Sequence, residues 1–324
     1  MRFNQIRDFL TIVETGSLRA AARRIGVSQP SMSKSVALLE REMQAQLLLR
    51  TARGVVLTAA GRAFMARGRV IHGELRKVHD DLAALRGRTE GSVSFGCGPA
   101  MTFPLVADAM SRFRKKWARA HVRIREGMRT ALLPLVRDET LDFAIAESIG
   151  PQDEAGLLFK PLMKPELVIV GRRGHPLANA VSLRELAKAN WLVFNLPGTS
   201  GALERTFSAH SLPPPNGLVH CESYATALSL VVCSDLLALI LRQAVDMPVT
   251  QLVLQRIRIQ EKVSRPIIGI FSRAGAPLSP TAAAMVQAVG GAARAPGRFE
   301  ASGGILKYRI DPTVPIARSG RRRV

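Results

Sequence analysis

The sequence predicts a chain in three successive parts: a helical head closed by a short two-stranded hairpin, one long helix, and an α/β region. Three observations predict it. Apolar residues recur every three or four positions through the head, with Gly16 and Gly26 as punctuation. A narrow seam then repeats every seven residues at Phe64, Ile71, Val78 and Leu85. From Ser92 onward, short β-rich runs alternate with amphipathic helices, which is the pattern of a parallel sheet covered by helices.

Phe3, Ile6, Leu10 and Val13 define the first helix, and Gly16 ends it as a C-cap. Ser17 is placed to cap a second, Ala-rich helix over Leu18 to Ile25, which Gly26 terminates. Ser28 caps a third, running to about Glu42, with Pro30 in the first turn where its missing N–H costs nothing. Two short helices joined by a tight glycine-containing turn form a helix-turn-helix. Ala22 is small enough for close helix packing, and Val27 and Met32 are expected to cover the core. The outward face then carries Ser28, Gln29, Pro30, Ser31, Ser33, Lys34 and Ser35, short polar groups suited to phosphates and base edges.

Leu47 to Leu49 and Val55 to Leu57 are β-type runs, and the turn between them holds Arg50 and Arg53. They predict a wing whose two arginines reach phosphate or the minor groove. Thr58 is placed to cap the long helix, which extends to about Arg88. Leu75 and Leu82 join the seven-residue series on the same face, so Phe64, Ile71, Leu75, Val78, Leu82 and Leu85 form one stripe. A stripe that narrow calls for a partner helix, and a second copy of the chain fits it as a coiled coil. His72 and His79 are also seven apart; with no second ligand at helical spacing they are expected on a solvated flank, not at a metal.

In the α/β region, strands are expected at Ser92–Phe95, His121–Arg125 and Leu141–Ala146, with helices at about Thr102–Trp117 and Ala131–Arg137. A second unit starts at Leu167–Val170. It continues with a capped helix over Ser182–Ala189, a strand at Trp191–Phe194, and helices at Ser200–Ser208 and Ser223–Cys233. Strand Pro266–Phe271 and helix Ser279–Val289 are left over from the second unit.

Charge narrows the partners. Among 324 residues, 46 Lys and Arg stand against 25 Asp and Glu, a formal net charge of +21. Residues 1–90 carry +8, residues 91–290 carry +7 and residues 291–324 carry +6, so the excess is densest at the two ends. Such an excess points to a polyanion such as nucleic acid. An apolar fraction of 47% excludes wholesale disorder. The three cysteines, Cys97, Cys221 and Cys233, form no CxxC, so a reducing compartment is expected, with no disulfide framework, no metal site and no cofactor. No secretory leader is expected. Nothing reaches the roughly 18 apolar residues of a membrane span, the stretch Leu228–Leu241 being broken by Ser229, Ser234 and Asp235. The expectation is a soluble, cytoplasmic protein with no membrane partner.

Gly16-Ser17-Leu18, Ala20-Ala21-Ala22, Val27-Ser28-Gln29-Pro30, Leu39-Glu40, Leu47 to Arg50 and Leu57-Thr58-Ala59-Ala60-Gly61 stand in order over some 60 contiguous residues. Together they resemble the winged helix-turn-helix of LysR-type transcriptional regulators. Leu141-Asp142-Phe143-Ala144, Gly171 with His175-Pro176-Leu177, and Leu278-Ser279-Pro280 resemble the effector-binding domain of the same family. The resemblance implies two Rossmann-like lobes, arranged as in a periplasmic solute-binding protein, with crossings near Leu162 and Pro266. Its domains would be a head over 1–58, a linker and dimerisation helix over 59–89, and an effector domain over 90–290. Lobe I would take 91–162 and 268–290, lobe II 163–267, and a basic, disordered tail 291–324. It further implies double-stranded DNA as partner through an interrupted palindromic operator, a small-molecule effector, and self-association as a dimer of dimers.

An effector cleft between the lobes would be formed by Gly98, Pro99, Ala100, Met101 and Thr102 at one strand end, by Gly198, Thr199 and Ser200 at the other, and by Met128 with Gly127 as an apolar wall. Free N–H groups and hydroxyls there suit an anion. The chain is also similar to a sulfonate-responsive subgroup, the one containing the regulator of toluenesulfonate degradation, through Gly16–Ala22, Arg50–Thr58 with Gly61, Thr140–Ala144, Cys221-Glu222-Ser223 and Ser234–Leu237. That likeness implies an aromatic sulfonate or carboxylate. Lys34 departs from the arginine often found in the recognition helix; it keeps a phosphate contact and gives up a bidentate guanine contact. Three rival readings are an enzyme, a solute-binding transport protein and a non-specific nucleoid-type DNA binder. Cys97 and Ser200 are the candidate nucleophiles, but Gly198-Thr199-Ser200-Gly201 is not a GxSxG elbow and no P-loop occurs, so no catalytic residue is expected. A transport protein would need a leader and no helix-turn-helix.

Overall fold

Two glycines in the left-handed region cut the head into its helices. The computed structural model describes residues 1–51, 54–86, 89–101, 105–150, 155–195 and 201–294. Helix α1 (Phe3–Thr15) stops at Gly16, φ 67°, and α2 (Leu18–Ile25) at Gly26, φ 80°, a conformation that a residue without Cβ adopts cheaply. Ser17 accepts the Ala20 N–H and Ser28 the Ser31 N–H, filling donors left open at the starts of α2 and α3 (Gln29–Met43). Ile6, Phe9, Ile12, Ala21, Ala22, Met32, Val36 and Leu39 form the head's core. Val27 is not in it. This residue is exposed, because it lies in the turn and off the packed face of either helix.

Strands β1 (Leu48–Thr51) and β2 (Gly54–Leu57) pair antiparallel, with Leu48 opposite Leu57. The wing is clamped to the end of α1: the Val55 N–H donates to the Gly16 carbonyl, 3.0 Å, and a Cβ on Gly54 would come within 2.6 Å of the same oxygen. Helix α4 (Ala59–Leu85) follows, capped by the Thr58 hydroxyl on the Gly61 N–H. With 27 residues it is about 40 Å long.

The remaining chain forms two five-stranded sheets. The first has the order β4-β3-β5-β12-β6 and is built from β3 (Ser92–Cys97), β4 (His121–Glu126), β5 (Phe143–Ser148), β6 (Leu157–Met163) and β12 (Ile267–Arg273). The second, β11-β7-β10-β8-β9, uses β7 (Leu167–Arg172), β8 (Trp191–Val193), β9 (Leu218–His220), β10 (Leu237–Leu241) and β11 (Leu254–Ile257). A 3-10 turn (Pro99–Met101), α5 (Ala107–Arg114) and α6 (Arg129–Arg137) serve the first lobe. Helices α7 (Ala202–Ala209), α8 (Tyr224–Cys233), α9 (Arg242–Val245) and α10 (Pro248–Gln251) serve the second, and α11 (Pro280–Ala293) returns to the first. The chain therefore changes lobes between Met163 and Leu167 and again between Ile257 and Ile267.

Both sheets are mixed, not parallel. β12 runs antiparallel to β5 and β6, and β7 antiparallel to β10 and β11. The cause is the double crossing: a strand entering from the other lobe starts at the hinge and runs away from it, whereas its neighbours run toward it. A second difference lies at Ser182–Ala189, where successive turns replace the expected helix. Leu183 and Leu186 are buried three apart, and the Leu183 N–H is held by the Glu261 carboxylate, 3.0 Å, so a tight three-residue repeat fits the site better. The helix expected from Thr102 is described only as α5, and the tail from residue 295 lies outside the described residues. Among the described residues, no helix is long and apolar enough to cross a membrane.

Candidate nucleic-acid interface and inter-lobe cavity

Helical periodicity sorts α3 into two sides. Met32, Val36 and Leu39 are buried, while Ser28, Gln29, Pro30, Ser31 and Lys34 are exposed and Ser33 is half-buried. The exposed side is continuous with the wing, because Arg50 of β1 donates from Nη2 to Ser33 Oγ at 2.6 Å. Arg53 lies outside the described residues. Ser35 leaves the outward face. Its hydroxyl donates to Asp8 at 2.6 Å, and the buried carboxylate, which also takes Arg7, needs such donors. Glu40 carries a role that its sequence position did not announce: one carboxylate oxygen accepts both the Leu47 N–H, 2.7 Å, and the Leu48 N–H, 3.0 Å, so the recognition helix fixes the start of the wing.

The stripe on α4 divides. Phe64 packs against the head, edge-on to Phe9 at 5.1 Å, and is half-buried. Leu75 is half-buried, while Ile71, Val78, Leu82 and Leu85 stand 44% to 84% exposed. The opposite side of α4, with Arg69, Gly73, Arg76 and Lys77, faces the first lobe. His72 stacks on Phe3 at 5.4 Å instead of lying on a solvated flank. Burial, helped by the neighbouring Arg76, pushes its pKa below the ordinary imidazole value. His79 is exposed. Among the described residues, no cluster could hold a metal ion.

A cavity of about 250 Å³ lies between the lobes, where β3, β5, β8 and β10 end and β7 and β12 begin. Gly98, Pro99, Met101 and Met128 line it as expected from sequence. Nothing is described of the Ala100 side chain, and Thr102, Gly198, Thr199 and Ser200 lie outside the described residues. The walls are mainly apolar, Leu167, Leu192, Phe194, Leu239 and Ile268 among them. Polar groups that sequence reasoning missed are Arg129 and Thr130 at the start of α6, Glu147 at the end of β5, and Asn195 and Glu204 beside α7. A charged side chain at a strand end or on a helix's first turn was the available signal.

Glu147 of the first lobe forms an ion pair with Arg205 of the second. Desolvation raises its carboxyl above the ordinary value, against the pull of Arg205 and Arg129. Glu126 adds a second link by accepting the Tyr224 N–H at 3.4 Å. Glu204 caps α7 on the Gly201 N–H, 2.8 Å, and holds Asn195. Cys97, one of the candidate nucleophiles, is fully buried in the core. The second, Ser200, lies outside the described residues.

A winged helix-turn-helix head, a connecting helix and a two-lobed domain with a cavity between the lobes define a transcriptional regulator with an effector-binding domain. Residues 3–62 match the family model described as bacterial regulatory helix-turn-helix protein, lysR family, and residues 86–294 match the LysR substrate binding domain. The chain belongs to the LysR family. It is 29% identical over 288 residues to the HTH-type transcriptional regulator GalR of Pseudomonas putida, covering 88% of this chain and 72% of that one. It is 30% identical over 293 residues to the SDS degradation transcriptional activation protein of a Pseudomonas species, covering 87% and 93%. A full-length OxyR variant from Pseudomonas aeruginosa has the same fold, with a TM-score of 0.68 at 20% identity over 92% of this chain and 96% of that one. So does CbnR in its complex with target DNA, with a TM-score of 0.65 at 20% identity over 90% and 100%.

Proposed function

We propose that the chain is a sequence-specific, cytoplasmic regulator that reads an interrupted palindrome as a dimer of dimers. Its output is set by a small anionic effector in the inter-lobe cavity. Residues 1–58 read the DNA, 59–89 dimerise, and 90–290 sense the effector, with lobe I as 91–162 and 268–290 and lobe II as 163–267. The basic residues 291–324 add affinity for any duplex.

The observation that carries this reading is the joining, in one chain, of an exposed recognition face to a cavity bridged by Glu147 and Arg205. Ser28, Gln29, Pro30, Ser31, Ser33 and Lys34 are assigned to DNA, with Arg50 and Arg53 on phosphate. Apolar walls with Arg129 at the first turn of α6 suit a molecule with an apolar body and one anionic group. An aromatic sulfonate or carboxylate is the class proposed, and the relative named for SDS degradation supports an amphiphilic anion.

Selection of duplexes from a random library, followed by calorimetry of the full chain with a panel of aromatic sulfonates and carboxylates, tests both halves. Selected duplexes should share two half-sites, and at least one acid should bind with measurable heat. Equal retention of random DNA would support a nucleoid-type binder instead. Flat heats for the whole panel would reject the effector class.

A further inference from the structure

Among the described residues, a dense cluster of charge outside the cavity and the exposed face of α3 sits between the linker helix and the first lobe. The turn between α6 and β5 carries Asp138, Glu139 and Asp142, and α4 presents Arg69, Arg76 and Lys77 to it. Arg69 Nη1 is 2.6 Å from Asp138 Oδ2. Arg76 grips Asp142 with both nitrogens, Nη2 at 2.5 Å and Nη1 at 3.3 Å. Lys77 Nζ is 3.3 Å from Glu139, whose carboxylate also pairs with Arg273 of β12.

Two of the three carboxylates are almost removed from water. The Asp142 side chain is 1% exposed and that of Glu139 4%. Asp142 also accepts the Ser94 N–H at 2.7 Å. Charges this deep are retained only with well-placed partners, so the geometry tolerates little sliding. Gly73 tightens the fit: a Cβ there would stand 2.6 Å from the Glu139 carboxylate and 2.9 Å from its Cβ. Glu139 itself has φ 59°, a left-handed conformation that a non-glycine residue keeps only when its surroundings impose it.

The position of this turn is what gives it a use. Helix α6, nine residues long, starts at the cavity with Arg129 and Thr130 and ends against Asp138. Strand β5, six residues long, starts against Asp142 and ends in the cavity at Glu147, which holds the other lobe through Arg205. One helix and one strand thus join the cavity to the same grip on the linker. A change in lobe angle felt at either end moves that grip.

We propose that Asp138, Glu139 and Asp142 are positioning residues that convey the state of the cavity to the linker helix, and so to the spacing of the heads. The proposal rests on reading the cavity as the effector site.

The test uses the full chain and needs no effector, because Glu147→Gln releases the inter-lobe ion pair. Amide hydrogen exchange along α4 is compared for wild type and Glu147→Gln, then for the same pair in an Arg76→Gln background and in an Arg69→Ala background. Exchange reports local opening. Glu147→Gln should change α4 exchange severalfold in the wild-type background, and the change should shrink or vanish in both others. Should Arg76→Gln fail to fold, Arg69→Ala, at the more exposed pair, decides alone. Unaltered α4 exchange in Glu147→Gln, or an equal change with the arginines removed, overturns the proposal. A chain that selects no duplex would sink the regulator reading and leave this result standing.

Discussion

Arg50 of the wing donates to Ser33 of the recognition helix, Nη2 to Oγ at 2.6 Å. The contact fixes a cation relative to the exposed side chains of α3 proposed to read DNA. Arg50→Ala should weaken binding to selected and random duplexes alike and flatten the salt dependence by about one unit of slope. Ser33→Ala keeps the charge but releases it, so preference for the selected duplex should fall more than affinity for random DNA. Gln29→Ala should act likewise, at a cost of about 1–3 kcal/mol at one base position. Fluorescence anisotropy titrations across a range of salt check all three. A wild-type salt slope in Arg50→Ala would remove the wing from the phosphate contacts.

Glu40 ties the recognition helix to the wing through two backbone N–H groups. In Glu40→Ala the Leu47 and Leu48 donors lose their partner, at an expected cost of about 1–3 kcal/mol. Chemical denaturation of the chain should show the loss. Glu40→Gln keeps an acceptor and should recover most of it, whereas equal stability in all three proteins would show that the two bonds are dispensable.

Val78 and Leu82 stand half-exposed on the face of α4 opposite the first lobe. If a second copy covers them, Val78→Asp or Leu82→Asp removes about 2 kcal/mol of apolar burial per subunit and places a charge in the seam. Analytical ultracentrifugation should then find smaller species at concentrations where the wild type is associated. An unchanged mass distribution would move the contact elsewhere.

Burial raises the Glu147 carboxyl above its ordinary value of 4.5. The folded protein therefore holds this proton more tightly than the unfolded chain does. The associated stability is present below 4.5 and is lost as the pH climbs through the raised value. Glu147→Gln has no such proton to lose, so its melting temperature should gain on the wild type as pH rises through that window. Parallel melting curves at every pH would show that the Arg205 pair fully offsets the burial.

The caps and glycines of the head were legible because they act locally: Gly16, Ser17, Gly26, Ser28 and Thr58 each bond within four residues of themselves. The seam was legible as a period, but its spacing could not tell a partner in the same chain from one in another. Phe64 also packs edge-on against Phe9, far earlier in the chain, a contact that the period alone does not announce. Strand direction was misread because it follows from which lobe a strand has just left, a fact with no local signature. The charged groups of the cavity escaped for a related reason. Arg129 and Glu147 of the cavity, and Arg205 that pairs with Glu147, belong to three separate elements and meet only through the tertiary fold.

The two working faces of α4 also make it a measuring rod. Ile71, Val78 and Leu85 repeat at seven residues on one side, and Arg69, Arg76 and Lys77 stand on the other. One residue inserted between head and seam would swing the head by about 100°, while seven would nearly restore its bearing and advance it by about 10 Å. That advance is close to three base-pair steps at about 3.4 Å each. If the proposed dimer reads two half-sites, their separation and the length of α4 are tied to one another in whole heptads.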